Sequence, residues 1–424
     1  MPIKKWLSIS LFASLMCTTI LSHSAELFLR DASGVNYIPP DGQAKKMGIG
    51  WVRMDLSWSN IEKEKGTYNW AKFDTFVTQA NKQGLQVLPV LAYTPAWTQS
   101  ISRKISSPPN DYDAWLKFVD AAVTRYSNPS YGIKFFQIWN EPTIKASYWL
   151  GSTNDFIDKI YIPAAKIIRG KNAKVVFGGW PLSNPIHEFK NALNHNDAWK
   201  YTDIIDFHYG TDKEFQYLYD NFIQNKKVYG IWQTEFGFRT TPLFLSKNYI
   251  RMLDWALKHD MSDNRYKVFW YPAWATGKDG GKALFTVNSN KQNVLTSHGQ
   301  ELTALYQVFG DNKIKLSENY PVDNLSRSNS GHNKASLFAF SVGENKQIII
   351  PFINDNTVND KKFSFKMPYK GAINSLTVMT ALGDKLDSSF KLTGTELVVN
   401  VANYNPQQIC QVCTKDKPVF IIIN

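Results

Sequence analysis

Cysteine is nearly absent from this chain, with three residues in 424. That excludes a scaffold built on disulfides, and no cluster of histidine and cysteine has the spacing of a zinc site. Cys410 and Cys413 form a lone CxxC near the C-terminus, which reads as a local structural disulfide in an exported chain. Basic runs are equally scarce. None exceeds two residues, as at Lys4-Lys5 and Lys226-Lys227, so the chain has no arm for nucleic acid despite a formal net charge of +12. No glycine-rich phosphate loop follows the first strand, and the seven histidines include no HExxH pair. Nucleotide and metal enzymes are disfavoured, and neither a metal nor a cofactor is expected. Repeats and low-complexity segments are also missing.

The remaining composition, 43% hydrophobic and 20% charged, is that of a soluble globular protein. Aromatic residues reach 14%, including 14 tryptophans. They either fill a large core or line a groove and stack on sugar rings, and composition alone favours the core. The diffuse positive charge makes an acidic polysaccharide the partner class to look for. A monomer is expected.

Residues 1–25 read as an export signal: Lys4 and Lys5, an apolar stretch from Trp6 to Leu21, then Ser22-His23-Ser24-Ala25. The apolar stretch is short for a membrane span, which needs roughly 20 residues, so no stable membrane insertion is expected. Met16 stands where a lipidated Cys17 would need a small residue. The mature protein is therefore expected outside the cytoplasm, in the periplasm or beyond the cell.

From 26 to 310, short apolar runs alternate with segments of helical period, the pattern of a parallel sheet wrapped by helices. The strands expected are Leu27–Arg30, Trp51–Leu56, Gln86–Ala92, Lys134–Trp139, Lys174–Gly178, Ile204–His208, Val228–Thr234 and Lys267–Tyr271. Eight is the number that closes a barrel. Helices are legible at Phe73–Ala80, Asp113–Tyr126 and Tyr249–Leu257. From 311 to 424 the helical signal stops and strands are separated by turn chemistry, as in a β-sandwich. No tryptophan follows Trp274, so this second domain reads as a brace. The fold class is thus α/β, a (β/α)8 TIM barrel followed by a C-terminal β-sandwich.

Two segments each place a glutamate at the C-terminal end of a barrel strand, where substrates bind in this fold. They are Phe135-Phe136-Gln137-Ile138-Trp139-Asn140-Glu141-Pro142 and Ile231-Trp232-Gln233-Thr234-Glu235-Phe236-Gly237. A single such glutamate is commonly a solvated loop residue. Two of them, on the fourth and seventh strands, can converge on a bound ring from opposite sides, as glycoside hydrolysis requires.

The same segments resemble clan A of the glycoside hydrolases. Trp51-Val-Arg53-Met-Asp55-Leu-Ser-Trp58, Ile61-Glu62, Lys65-Gly66-Thr-Tyr68-Asn-Trp70 and Tyr93-Thr-Pro95-Ala-Trp97 are similar to family 39 and its exopolysaccharide-degrading relatives. The resemblance spans the barrel and implies a retaining enzyme, with Glu141 as acid/base and Glu235 as nucleophile. Asn140 would bond the substrate's 2-hydroxyl, and Arg53 would keep Glu235 ionised. His208 and Tyr209 would lie near the nucleophile. Trp274, or Trp270 in its place, would form an aromatic floor. Tyr93 and Trp97 either line further sugar sites or fill the core. The third-strand histidine of some clan members has no counterpart, since Tyr93-Thr94-Pro95 stands there. Four activities remain open: endo-cleavage of an exopolysaccharide, exo-cleavage of the xylosidase or glucosidase type, transglycosylation, and glycan binding without turnover. For a retaining enzyme the two carboxyl groups should lie roughly 5–5.5 Å apart.

Overall fold

The computed structural model describes residues 25–237, 239–275, 281–317, 326–328, 337–353, 363–402 and 417–424. The export signal and the Cys410–Cys413 pair lie outside them. Among the described residues no helix is long and apolar enough to cross a membrane.

Eight parallel strands close into a barrel: β1 (Ser33–Asn36), β2 (Trp51–Ser57), β3 (Gln86–Ala92), β4 (Phe135–Ile138), β5 (Lys174–Val176), β6 (Ile204–His208), β7 (Gly230–Phe236) and β8 (Tyr266–Trp270). The pairing of Val176 with Ile204 joins β5 to β6, and that of β8 with β1 completes the ring. Three intervening helices cover the expected ones: Ala71–Lys82, Tyr112–Tyr126 and Phe244–Lys258. The second starts at Asp111, whose carboxylate accepts the Ala114 amide at 2.9 Å and satisfies a donor the helix leaves unpaired.

The first strand departs from expectation. Leu27–Phe28 is not in the barrel but pairs antiparallel with Lys313–Ile314 at the edge of the second domain's sheet. Leu29–Ala32 then forms a single helical turn, and the barrel strand is Ser33–Asn36. Its sequence, Ser-Gly-Val-Asn, has little strand propensity, and tertiary packing selects it. A Cβ on Gly34 would lie 2.3 Å from the Phe269 ring, so only glycine leaves room for that ring inside the barrel.

The barrel interior is layered. Its floor is apolar, a separate cluster of Trp51, Leu88, Phe135, Val176, Ile204, Trp232 and Phe269 supplied by strands alone. The fully buried Lys267 lies 4.3 Å from the Trp51 ring centroid and donates to the Asp31 carbonyl at 2.7 Å. Above the floor are the polar side chains of Asn36, Arg53, Gln137, Asp206 and Thr234, all buried.

The second domain is antiparallel, built from β9 (Lys313–Leu316), β10 (Leu337–Val342), β11 (Lys346–Ile353), β12 (Phe363–Pro368), β13 (Leu376–Thr380), β14 (Lys385–Thr393), β15 (Glu396–Ala402) and β16 (Lys417–Ile423). The start of β14 pairs with β13 and the remainder with β15, so one sheet turns into a second layer. Alternation along the strands assigns the two faces. Ile349, Val419, Ile421 and Ile423 join Phe365, Val399 and Val401 in the sandwich core. Ile348, Ile350, Phe352 and Phe420 join the barrel's own core. Sheet residues sandwiched on both faces explain the uninterrupted apolar runs Ile348-Ile349-Ile350 and Val419–Ile423.

A buried hydrogen-bond cluster braces the segment that follows the strand carrying Glu235. The helix Phe244–Lys258 begins without a side-chain cap of its own. Glu301, on the helix Ser297–Phe309, instead accepts the amides of Leu243 and Ser246, both at 2.8 Å, and the Ser246 hydroxyl at 2.9 Å. His298 Nδ1 lies 2.9 Å from the same carboxylate, and its Nε2 donates to the Arg239 carbonyl at 3.1 Å. Glu301→Ala leaves a buried imidazole and two amides without their acceptor. It is expected to lower unfolding free energy by about 3–5 kcal/mol, read in a denaturant titration against Glu301→Gln, which keeps one acceptor and should lose less.

Candidate active site

At the mouth of the barrel the regular alternation is broken along β7 and just past β4, where adjacent polar side chains are both aimed inward. On β7, Trp232 pairs with Asp206 but Glu235 with His208, so β7 carries one extra residue against β6, and the same shift recurs against β8. This bulge lets Thr234 and Glu235 both serve the interior, where strict alternation would send one of them outward. Just past β4 the left-handed Trp139 (φ 68°) turns its indole outward among Trp115 and Trp149. Asn140 and Glu141 (φ 42°) then both reach the cleft. Tyr37, Tyr93 and Tyr209 are left-handed as well, at 71°, 71° and 61°. Such non-glycine residues cost about 1–3 kcal/mol each and gather where function demands a geometry.

The result is a cleft of about 280 Å³ lined by Asn36, Tyr37, Arg53, Met54, Asp55, Tyr93, Asn140, Glu141, Tyr148, Tyr209, Glu235 and Tyr271. Arg53 is its hub. Its Nε donates to Gln137 Oε1 at 2.9 Å, Nη1 to Asn36 Oδ1 at 2.8 Å and to Glu235 Oε1 at 2.7 Å, and Nη2 to Asn140 Oδ1 at 2.6 Å. The last bond fixes the Asn140 amide so that its NH2 group, with no acceptor among the described residues, is left for a ligand. Tyr209 donates its hydroxyl to Glu235 Oε2 at 2.5 Å, so both oxygens of that carboxylate are held.

His208 lies beneath, fully buried. Its Nδ1 is 2.9 Å from Glu141 Oε1 and 3.8 Å from Glu235 Oε2. Its Nε2 is 3.1 Å from the Thr234 hydroxyl, which itself donates to Asp206 Oδ2 at 2.6 Å. Because that hydroxyl has only one hydrogen, Nε2 must be the donor to Thr234. Gly179 (φ 64°) makes room, since a Cβ there would lie 2.1 Å from the imidazole.

The charges reinforce one another. Burial pushes the Glu235 carboxyl up, but the charges of His208 and Arg53 and the bonds from Tyr209 and Arg53 outweigh it and hold it below the usual carboxylate value. Burial likewise pulls His208 down, yet Glu235, Asp206 and Glu141 together raise it to about 9. Burial and the Glu235 charge both raise Tyr209, which keeps its proton.

One oxygen each of Glu141 and Glu235 and one ring nitrogen of His208 lie within 4.8 Å of one another. Such a trio could in principle hold a metal ion, but the Arg53 guanidinium against Glu235 opposes a further cation there. The arrangement is that of acid–base and nucleophilic chemistry.

Of the residues expected from the sequence, Arg53, Tyr93, Asn140, Glu141, Tyr209 and Glu235 meet in this cleft. His208 touches both glutamates but has no exposed surface, so it acts on them and not on a ligand. Three tryptophans lie elsewhere. Trp97 packs on Trp58 and donates to the Glu62 carbonyl at 2.8 Å. Trp270 is fully buried against Phe236 and His298, and donates to the Lys282 carbonyl at 2.8 Å. Trp274 leans on Phe285 and donates to the Ile38 carbonyl at 2.8 Å. The reason for Trp270 is alternation: Lys267, Phe269 and Tyr271 share the inner face of β8, so Trp270 faces the helices and Tyr271 meets the cleft. Asn36, Asp55, Tyr148 and Tyr271 were not anticipated. Alternation from Arg53 to Asp55 could have found one of them.

A closed parallel barrel whose fourth and seventh strands bring two buried glutamates together is the arrangement of the (β/α)8 glycoside hydrolase class. Within it, the chain belongs to the glycosyl hydrolases family 39, whose model matches residues 20–248. A β-xylosidase of Caldicellulosiruptor saccharolyticus is 24% identical over 181 residues, covering 39% of this chain and 36% of that protein. The chain thus spans about a third of the length of this curated relative. A family 39 glycoside hydrolase from Bacteroides cellulosilyticus WH2 superposes with a TM-score of 0.62 at 15% identity, covering 94% of this chain and 82% of that one. A GH30 endoxylanase from Clostridium papyrosolvens C71 gives 0.63 at 15% identity, covering 95% and 98%. At such identities these two structures speak for the fold alone.

The raised His208 makes stability depend on pH with a definite sign. A group whose folded value is raised contributes fully below its unfolded value, near 6.5, and loses that contribution as pH rises through about 9. Unfolding free energy should therefore fall between pH 6.5 and 9, and His208→Asn should flatten that slope. An unchanged slope in the variant would refute the charged imidazolium.

Proposed function

We propose that the protein is an exported retaining glycosidase that works by double displacement. Glu235 is the nucleophile and Glu141 the acid/base. The observation that carries this reading is the separation of the two glutamates: oxygens within 4.8 Å leave no room for the water that an inverting pair, roughly 6.5–9.5 Å apart, places between them.

Each role follows from the surroundings. Glu235 is kept ionised by Arg53 and His208 and can attack the anomeric carbon. An imidazolium at His208 donates through both nitrogens, to Thr234 and to Glu141 Oε1. The catalytic proton of Glu141 then resides on Oε2, free to reach the leaving oxygen. When Glu235 becomes the glycosyl ester its negative charge is gone, and Glu141, now a carboxylate beside His208, takes a proton from the incoming water. The NH2 group of Asn140 is placed to bond the 2-hydroxyl, a contact that strengthens in the transition state.

The substrate is a glycan. Endo-cleavage of a bacterial exopolysaccharide rests on the export signal and on the family resemblance. Exo-cleavage is favoured by the size of the cleft, about 280 Å³ and walled by five tyrosines, which suits one ring better than a chain. The products decide between them: a ladder of oligosaccharides for endo action, a single monosaccharide from the start for exo action. Export predicts a mature N-terminus just after Ala25, read by N-terminal sequencing of the secreted protein. A retained leader would overturn that part.

The mechanism predicts a split between the two glutamates. Glu141→Gln should slow cleavage of a sugar leaving group by about 10²–10⁴-fold but slow a dinitrophenyl glycoside far less, since that leaving group needs no proton. Glu235→Gln should abolish both. Inversion of the anomeric centre, followed by proton NMR, would sink the double displacement.

A further inference from the structure

The cleft holds a third carboxylate that the two-glutamate mechanism leaves unused. Trp51, Arg53 and Asp55 follow one another at alternate positions of β2, so they rise along the inner face from the floor through the polar layer to the mouth. Asp55 lines the cleft beside Arg53, Tyr37, Tyr93 and Glu235, and its side chain is exposed there. Among the described residues nothing donates a hydrogen bond to it. The guanidinium below it spends its assigned bonds on Gln137, Asn36, Glu235 and Asn140. Although the Asp55 side chain faces the open cleft, the walls around it strip away water, and this with the Glu235 charge raises its carboxyl above the ordinary value against the pull of Arg53.

We propose that Asp55 selects the ring bound against Glu235: it accepts hydrogen bonds from donors on the side of that ring remote from the bond being cleaved, and it rejects a uronic acid. This rests on the hydrolase reading above and adds the substrate class to it. Two acceptor oxygens without a protein donor suit a pair of sugar hydroxyls, or the ammonium of an amino sugar. A ring carboxylate in the same corner would meet Asp55 and Glu235, and Arg53, the only arginine or lysine among the described residues that line the cleft, is already engaged. The acidic substrate suggested by the chain's overall charge finds no support in the cleft.

The test measures kcat/KM of the full chain on neutral, aminodeoxy and uronic-acid glycosides, as aryl glycosides and as oligosaccharides. Wild type, Asp55→Asn, Asp55→Ala and Glu235→Gln are compared, with thermal unfolding of each as a check on folding. Wild type should cleave neutral or aminodeoxy members and leave the uronides. Asp55→Ala should lose about tenfold to a hundredfold on the cleaved member, the worth of hydrogen bonds to a charged group. Asp55→Asn should narrow the ratio between neutral and uronic substrates, a change that general loss of structure does not produce. Uronide cleavage by the wild type, or an Asp55→Ala enzyme within threefold of it, overturns the selection while the loss of activity in Glu235→Gln upholds the hydrolase. Cleavage of nothing in the panel overturns the hydrolase reading, and the selection with it.

Discussion

A guanidinium buried inside the barrel is the constraint around which the site is arranged. Withdrawing Arg53 from water is expensive unless its donors are met, and the acceptors that meet them come from three places on the ring: Asn36 from β1, Gln137 and Asn140 on or just past β4, Glu235 from β7. One planar fork therefore sets the distances among three strands and its own. Its proton is not negotiable, since the charges of Glu235, Asp55 and Asp206 raise an already high value despite burial. A lysine could supply the charge but not four bonds in fixed directions. The same fork fixes the charge state of Glu235 and the orientation of the Asn140 amide, which makes geometry and electrostatics one property.

The layering of the interior explains how such a residue can be afforded. An apolar floor of Trp51, Phe135, Trp232 and Phe269 plugs the barrel below, so the polar layer is closed to water from beneath and open only to the ligand. Thr234 shows the economy of that layer. Its amide and hydroxyl both go to Asp206, and its remaining lone pairs receive His208. A chain of hydrogen bonds then links Asp206 to Glu141: Asp206 accepts from Thr234, Thr234 accepts from His208 Nε2, and His208 Nδ1 faces Glu141.

How far the sequence reveals this depends on which rule each residue obeys. Glu141, Glu235, Asn140 and Arg53 were legible because a short motif at the end of an apolar run states both residue type and position. Most strands and the three named helices were legible because their apolar period is regular. Ser33–Asn36 was not, since a strand with glycine facing a phenylalanine ring is chosen by a contact made 235 residues later in the chain. Leu27–Phe28 looked like a barrel strand because a two-residue edge strand has the same composition whichever sheet it joins. Trp274, or Trp270 in its place, was expected as the aromatic floor from the family resemblance, where alternation along β8 points to Tyr271. The bulge in β7 and the left-handed residues at the mouth left no local signal, because the bonds that hold them are made with other strands.

Two scales of electrostatics have to be kept apart in reading this protein. The formal charge of +12 belongs to the whole chain and acts on a partner over about 8 Å at physiological ionic strength, enough to gather a polyanion on the surface. The cleft acts over single hydrogen bonds and has the opposite balance among its described residues, with Asp55, Glu141 and Glu235 around one engaged arginine. A glycan that carries its negative groups away from the scissile ring satisfies both. On the selection proposed for Asp55, the outside of the protein would hold it through charge and the site would admit it through hydroxyls. Net charge therefore bears on what the surface could gather, and the corner beside Asp55 on which ring the proposed enzyme would admit.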